Sequence, residues 1–299
     1  MNKGLIIEFI AGTYKIFSLD KIYLGKPRGK LKNTIIPKVG DNVLFSEIDD
    51  NNVIIEELLP RHNDLIRPNI CNIDQAFVIF SVKEPDLNLN LLDKFLVNLE
   101  YNDITPIIIF NKIDLITNNE LDEIFNYYES IGYKVIKTSA IKNLVGELKE
   151  LLTGHISVFT GQSGVGKSSL LNVLDPSLFL ETQEISTALG RGKHTTRVVS
   201  LIPINDGWVA DTPGFGTIDF KENDERSIAD NFIEFFKLSS ECKYPGCMHL
   251  NEPGCKVVEE VKKGHILKSR YDNYVQFIKD LRKDNKNENR SLNFKSHRR

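Results

Sequence analysis

Apolar side chains in the first 65 or so residues come in short runs: Gly4 to Phe17, Lys21 to Tyr23, Asn42 to Ile48 and Val53 to Leu58. A period of two belongs to a strand with one buried face, and turns containing Gly, Asp or Asn separate the runs. Five or so short strands in that length predict a small β-barrel of OB type. From Asp74 the pattern changes. Strands over Ala76–Val82, Thr105–Phe110, Lys134–Lys137 and Ile156–Thr160 alternate with helices over Leu87–Glu100, Glu120–Ile131 and Val145–Leu152. Such alternation predicts a parallel α/β sheet with helices on both faces. After Gly214 the strands stop. One helix over Lys221–Leu238 and a final one over Ile266–Arg282 are predicted, with disorder after Asp284. The domain division that follows is 1–66, 67–220 and 221–299.

Composition narrows the class. With 299 residues, 41% hydrophobic and 26% charged, the chain is neither disordered nor collagenous. Its apolar runs, such as Ile107–Phe110, fall far short of the roughly 18–20 residues that span a bilayer. Glu8 interrupts the first apolar stretch, which alternates as a strand does, so no signal peptide is read there. Four cysteines make no disulfide framework. A cytoplasmic protein with free or metal-bound thiols, and no membrane partner, is the expectation.

Charge adds an asymmetry. Residues 262–299 hold 12 Lys/Arg against 4 Asp/Glu, while residues 1–261 hold 26 against 37. A basic tail on an acidic body suits a polyanionic partner; a solvated helix is the other reading. The segment Lys26-Pro27-Arg28-Gly29-Lys30-Leu31-Lys32 reads as a mobile basic loop on the barrel, which suits RNA.

Four short strings then fall at the ends of predicted strands. Gly161-Gln162-Ser163-Gly164-Val165-Gly166-Lys167-Ser168, followed by Ser169, satisfies G-x-x-x-x-G-K-[ST] between a strand and a helix. Its glycines let backbone N–H groups meet phosphate oxygens, Lys167 would bridge the β- and γ-phosphates, and Ser168 would ligate Mg²⁺. Asp211-Thr212-Pro213-Gly214 ends the strand Gly207–Ala210, with Asp211 near the metal and the Gly214 N–H facing the γ-phosphate. Asn111-Lys112-Ile113-Asp114 follows Thr105–Phe110. A carboxylate there accepts from guanine N1 and its 2-amino group, whereas adenine offers neither donor and would leave it unpaired. Thr138-Ser139-Ala140 would add backbone contact to guanine O6. Together the strings predict GTP with Mg²⁺.

Downstream, Cys242, Cys247, His249 and Cys255 form C-x4-C-x-H-x5-C. Three thiols and an imidazole make a soft tetrahedral set suited to one structural Zn²⁺ per chain. No C-x-x-C occurs to support a redox pair, and Cys71 reads as an unrelated buried thiol.

The motifs resemble those of the GTPase superfamily, but base-reading segments precede the phosphate loop. That order is a circular permutation. With a barrel before it and a Cys/His module behind, the chain resembles the ribosome small subunit-dependent GTPase family of bacteria over nearly its whole length. The resemblance implies an OB-type barrel that binds RNA, a circularly permuted P-loop GTPase domain and a mainly helical zinc-binding module. It also implies a late 30S assembly factor, working on the 16S rRNA, whose GTP hydrolysis the 30S subunit stimulates. Nucleotide-gated RNA binding with incidental hydrolysis is the alternative, and a monomer is expected. Gly190-Arg191-Gly192-Lys193-His194-Thr195-Thr196-Arg197 keeps the family's G-[RK]-H-T-T pattern. Thr196 completes the Mg²⁺ shell in this reading, Thr195 being the alternative. Phe215 stands where many GTPases carry Gln and cannot orient the attacking water, so the resemblance favours His194 for that task.

Overall fold

A computed structural model describes residues 1–29, 35–66, 68–117, 119–178, 199–211 and 224–296. Contacts divide these into two compact units, one drawn from Met1–Leu87, Asn102–Asn118 and Val135–Thr217, the other from Asn88–Tyr101, Asn119–Lys134 and Ile218–Arg299. No helix among the described residues is long and apolar enough to cross a membrane. The helices are α1 (Leu89–Tyr101), α2 (Asp122–Ile131), α3 (Leu148–Leu152), α4 (Lys167–Leu174), α5 (Glu225–Asp230), α6 (Ile233–Ser239), α7 (Lys256–Lys262) and α8 (Lys268–Ser296).

In the first unit, β1 (Asn2–Ile10), β2 (Thr13–Ser18), β3 (Lys21–Pro27), β4 (Asn42–Glu47) and β5 (Asn52–Leu58) form the predicted barrel. The run Gly4–Phe17 divides because Ala11 and Gly12 turn with positive φ, 48° and 83°. Antiparallel pairs β1–β2, β2–β3 and β4–β5 are joined by a parallel β3–β5 pair, and β1–β4 closes the ring. Ile6, Ile16, Val43, Phe45, Val53 and Ile55 fill it, all buried. The basic segment is less loop-like than expected: Lys26 and Pro27 belong to β3, and Arg28 pairs with Glu56 at 2.8 Å. Lys30, Leu31 and Lys32 lie outside the described residues.

The chain then passes through a small hairpin, β6 (Asp64–Leu65) and β7 (Ile70–Cys71), into the second half of the unit. Its strands are β8 (Gln75–Ser81), β9 (Thr105–Asn111), β10 (Lys134–Lys137), β11 (Ile156–Thr160), β12 (Ser200–Ile204) and β13 (Gly207–Asp211). They lie in the order β10-β9-β8-β11-β13-β12, and β1 follows β12. The pairs β8–β9, β8–β11 and β11–β13 are parallel. Every residue of β8 and β11 is buried, which is why these strands read as continuous apolar runs. Phe77, Ile79, Ile109, Phe159, Leu170 and Leu174 belong to one core that also takes in Leu148 and Leu152 of α3. Sequence reading missed β12. It is antiparallel to β13 across the Asn205–Asp206 turn, and Ser200 pairs with Glu8 of β1, so barrel and parallel strands share one sheet.

The second unit is helical. Its centre is Arg270 on α8, fully buried, 2.6 Å from Asp93 of α1 and 2.5 Å from Glu234 of α6. Tyr128 of α2 donates to Asp93 at 2.6 Å, Tyr127 donates to Glu234 at 3.2 Å, and the guanidinium stands 4.7 Å from the Phe232 ring centroid. Two expectations fail in this unit. The single helix over Lys221–Leu238 is two helices, because Asp224 caps the first in a capping box and Asn231–Phe232 ends it. Disorder after Asp284 is replaced by continuation of α8 to Ser296; no Gly or Pro follows Gly264 to stop the helix.

Candidate nucleotide site and Cys-His centre

The phosphate loop joins β11 to α4. Gly161 and Gly166 have φ of 140° and 97°, and a side chain at either would collide, with the Ile79 carbonyl and with Asn111 respectively. These collisions show why glycine is required and how closely β8 and β9 approach the loop. Val165 is buried beneath it, while Ser163 and Gly164 are exposed. Lys167 Nζ donates to the carbonyls of Gly161 (2.9 Å) and Gln162 (2.6 Å), so the ammonium lies across the loop that it closes. Ser168 is buried at the start of α4, and Ser169 is half-buried. The first N–H groups of a helix lack intrahelical acceptors and carry its positive dipole end, which suits an anion.

Asn111 ties the segment Asn111–Asp114 to this loop. Its Nδ2 donates to Val165 O at 2.8 Å, and its Oδ1 accepts from Thr138 Oγ1 at 3.0 Å. Three segments far apart in sequence therefore meet on one buried side chain. Ile113 N donates to Thr138 O at 3.2 Å, and Ser139 Oγ donates to Asp114 Oδ1. That hydroxyl aligns one carboxylate oxygen and leaves the half-exposed carboxylate its other. Ser139 N and Leu144 O bond at 2.8 Å, holding Ser139 and Ala140 at the turn after β10. Lys112 takes a left-handed backbone, φ 61°, and donates to Glu84 O. No motif announced Glu84 and Pro85: they follow β8, where Ser81 Oγ donates to Pro85 O at 2.7 Å, and a side chain at Gly164 would meet Pro85 at 3.8 Å.

The described parts of the site thus gather at the carboxyl ends of β8, β9, β10 and β11, where an open parallel sheet binds ligands. Other expectations cannot be placed on it. His194, Thr195, Thr196, Thr212, Pro213, Gly214 and Phe215 lie outside the described residues. Asp211 is the last residue of β13, where it pairs with Ser200 of β12.

In the helical unit the four Cys/His ligand atoms lie within 4.8 Å of one another. His249 Nδ1 is 3.6 Å from Cys242 Sγ and 3.4 Å from Cys255 Sγ. Cys247, His249 and Cys255 are buried, and burial lowers the His249 pKa, which favours the neutral imidazole that a metal ligand must be. His249 has a left-handed backbone, φ 55°, which turns it back toward the thiols. Tyr271 OH donates to His249 O at 2.9 Å, and Glu252 accepts from the N–H groups of Met248 (3.0 Å), Leu250 (2.8 Å) and Asn251 (3.0 Å), fixing the loop. Soft donors, convergence and a neutral imidazole fit a metal ion. Cys71 stands apart, buried, its thiol donating to Asp41 at 3.1 Å.

Comparison with known proteins agrees with this geometry. The RsgA GTPase family profile matches residues 58–221, and the RsgA N-terminal domain profile matches residues 3–55. The small ribosomal subunit biogenesis GTPase RsgA 2 of Oceanobacillus iheyensis is 47% identical over 286 residues, covering 94% of this chain and 98% of that one. The corresponding protein of Enterococcus faecalis is 44% identical over 283 residues, covering 93% and 95%. Among solved structures, YloQ, described as a circularly permuted GTPase, superposes with a TM-score of 0.81 at 38% identity, covering 95% and 96% of the two chains. YjeQ from Thermotoga maritima superposes with a TM-score of 0.82 at 33% identity, covering 94% and 98%. A barrel, a phosphate loop that follows its own base-reading segments, and matches along both sequence and fold lead to one conclusion: the chain belongs to the RsgA GTPase family and is a circularly permuted GTPase.

Proposed function

We propose that this GTP hydrolase acts in late biogenesis of the small ribosomal subunit, binding 16S rRNA in a nucleotide-dependent way and turning over GTP when the 30S subunit stimulates it. The observation that carries the reading is Asn111, which holds the guanine-reading segment, Thr138 and the phosphate loop in one buried hydrogen-bonded group. Relatives whose names state small-subunit biogenesis align along nearly the whole chain, barrel and Cys/His module included. The division into barrel (1–66), GTPase domain (67–220) and C-terminal module (221–299), the cytoplasm as the place of action, and a monomer are parts of the same reading.

In this reading Asp114 accepts from guanine N1 and N2, aligned by Ser139, with Lys112 and Ile113 beside the base and Ala140 offering its N–H to O6. Gly161 to Gly166 wrap the phosphates, with Ser169 following Ser168 into α4. Lys167 moves from the Gly161 and Gln162 carbonyls onto the β- and γ-phosphates, where charge develops as the bond to the leaving oxygen breaks. Ser168 and Thr196 would hold Mg²⁺, with Asp211 nearby; the ion neutralises phosphate charge when bound. The Gly214 N–H meets the γ-phosphate, and His194 orients the attacking water. Water supplies the oxygen of the phosphate released, and GDP leaves with the bridging oxygen. Cys242, Cys247, His249 and Cys255 would hold one structural Zn²⁺.

The test is GTP hydrolysis measured with 30S, 50S and 70S particles supplied separately. Strong acceleration by 30S alone is expected. Equal rates in all three would overturn the reading.

A further inference from the structure

At the Gly12 end of the barrel lies a groove of about 280 Å³, lined by Phe9, Tyr14, Lys26, Pro27, Ile36 and Pro37. Its floor is apolar and its aromatic wall is ordered: the Phe9 and Tyr14 rings lie 4.5 Å apart at 30°, and Phe9 is 42% exposed. Gly12 stands at the mouth, and among the described residues nothing lies within 4 Å of where its side chain would be. The opposite wall is held rigidly. Arg61 donates to Ile36 O at 2.9 Å while gripping Asp41 through two nitrogens, at 2.7 and 2.8 Å, and Asp41 also accepts from Lys38 N at 2.6 Å. This buried ion pair has no part in the nucleotide site; its effect is to hold Ile36–Lys38 in place beside β3. A preformed slot is what a flat ligand needs for entry without ordering cost.

Charge selects the ligand. Lys26 is exposed at the groove's edge, and among the described residues it forms no ion pair. At the other end of the barrel the β4–β5 turn carries two carboxylates, Asp49 and Asp50, against one cation, Lys21, which donates to the Asp50 carbonyl; Asp49 is fixed by the N–H groups of Asn51 and Asn52, both at 2.9 Å. OB barrels commonly bind oligonucleotides across the β2–β3 face between the β1–β2 and β4–β5 loops. Here the second loop repels phosphate and the first is the short Ala11–Gly12 turn, so a polyanion is confined to the Gly12 end.

We propose that this groove takes one unpaired nucleobase of RNA, stacked on Phe9, with the adjoining phosphate on Lys26. The inference rests on the reading that the chain works on rRNA, and it makes the barrel a reader of single strands instead of duplex.

The test uses the full chain and a labelled single-stranded heptaribonucleotide, with the same sequence as a duplex for comparison. The single strand should bind more tightly. Phe9→Ala should weaken it about tenfold, the usual loss of one stacked base. Lys26→Gln should lower the slope of log affinity against log salt by about one. Phe9→Trp keeps the platform, so it should retain affinity and show quenched indole fluorescence, which keeps the test open if Phe9→Ala folds poorly. Basal GTP hydrolysis should be unchanged in all three variants. Preference for duplex, or affinities of Phe9→Ala and Phe9→Trp both within twofold of wild type without quenching, would overturn the proposal. So would weaker binding of Phe9→Ala to 30S subunits with unchanged binding of the heptamer, which would make the groove a protein-docking site. Groove-dependent binding of the heptamer by a wild type that 30S subunits fail to stimulate would sink the proposed function and leave the groove standing.

Discussion

At the scale of single residues, the nucleotide site depends on side chains whose partners are fixed before any ligand arrives. Asp114 receives the Ser139 hydroxyl on one oxygen. Asp114→Asn exchanges an acceptor for a group that also donates, so GTP affinity should fall by 10- to 100-fold, the rough value of charged hydrogen bonds. Xanthosine triphosphate, whose C2 carbonyl can take an N–H, should gain; equilibrium binding of both nucleotides checks this. His194 carries the next prediction because Phe215 has no hydrogen bond to offer water. His194→Ala should leave GTP affinity and 30S binding nearly intact but remove most of the stimulated turnover, roughly 10²- to 10⁴-fold for a well-placed group. Stimulated rates within about twofold of wild type would make His194 a bystander. The residue types proposed for this site could be read from the sequence because phosphate and guanine would each demand a particular donor or acceptor. Glu84 was not legible, since it contributes a backbone carbonyl and any residue carries one.

Among the elements, strands were easier to read than helix ends. β8, β9 and β11 announce themselves as apolar runs because both their faces are covered. β12 did not: SLIPI contains Pro203, and its strand character comes from pairing with β13 and β1. The break between α5 and α6 falls at Asn231 and Phe232, residues a helix accepts, so no local signal marks it. The Cys/His loop is the opposite case, since Pro, Gly and ligand spacing define it locally. Cys247→Ser should leave a metal with three good ligands and a poor fourth. Structural zinc contributes on the order of 10 kcal/mol to folding of small modules, so amides around residues 240–260 should exchange faster. Metal analysis should find one zinc per wild-type chain and loss in the variant, with GTP binding kept.

For the molecule as a whole, the helical unit depends on a charge cluster placed where charge is costly. Arg270, Asp93 and Glu234 come from helices far apart in sequence and are almost entirely buried. Arg270→Met would leave two carboxylates without their cation, and breaking such a buried pair costs about 3–5 kcal/mol. Denaturant unfolding should show the helical unit melting earlier, and hydrogen exchange in α1 and α8 should report it; protection equal to wild type would contradict the role assigned to the cluster. Nothing in the sequence distinguishes Arg270 from the eleven other cations after residue 261.

Chain order and local chemistry were the sequence's own contribution. The permutation, the phosphate loop, the segment proposed to read guanine and the Cys/His spacing follow from short strings, because each depends on groups within a few bonds of one another. Tertiary structure alone decided that Asn111 would bond to Val165, that β12 would join the parallel strands to the barrel, and that one basic residue of the tail would be buried instead of solvated. Those outcomes depend on which surfaces meet when the chain closes, and a hydrogen bond or ion pair across 54 or 177 residues leaves no periodic trace in the chain that forms it.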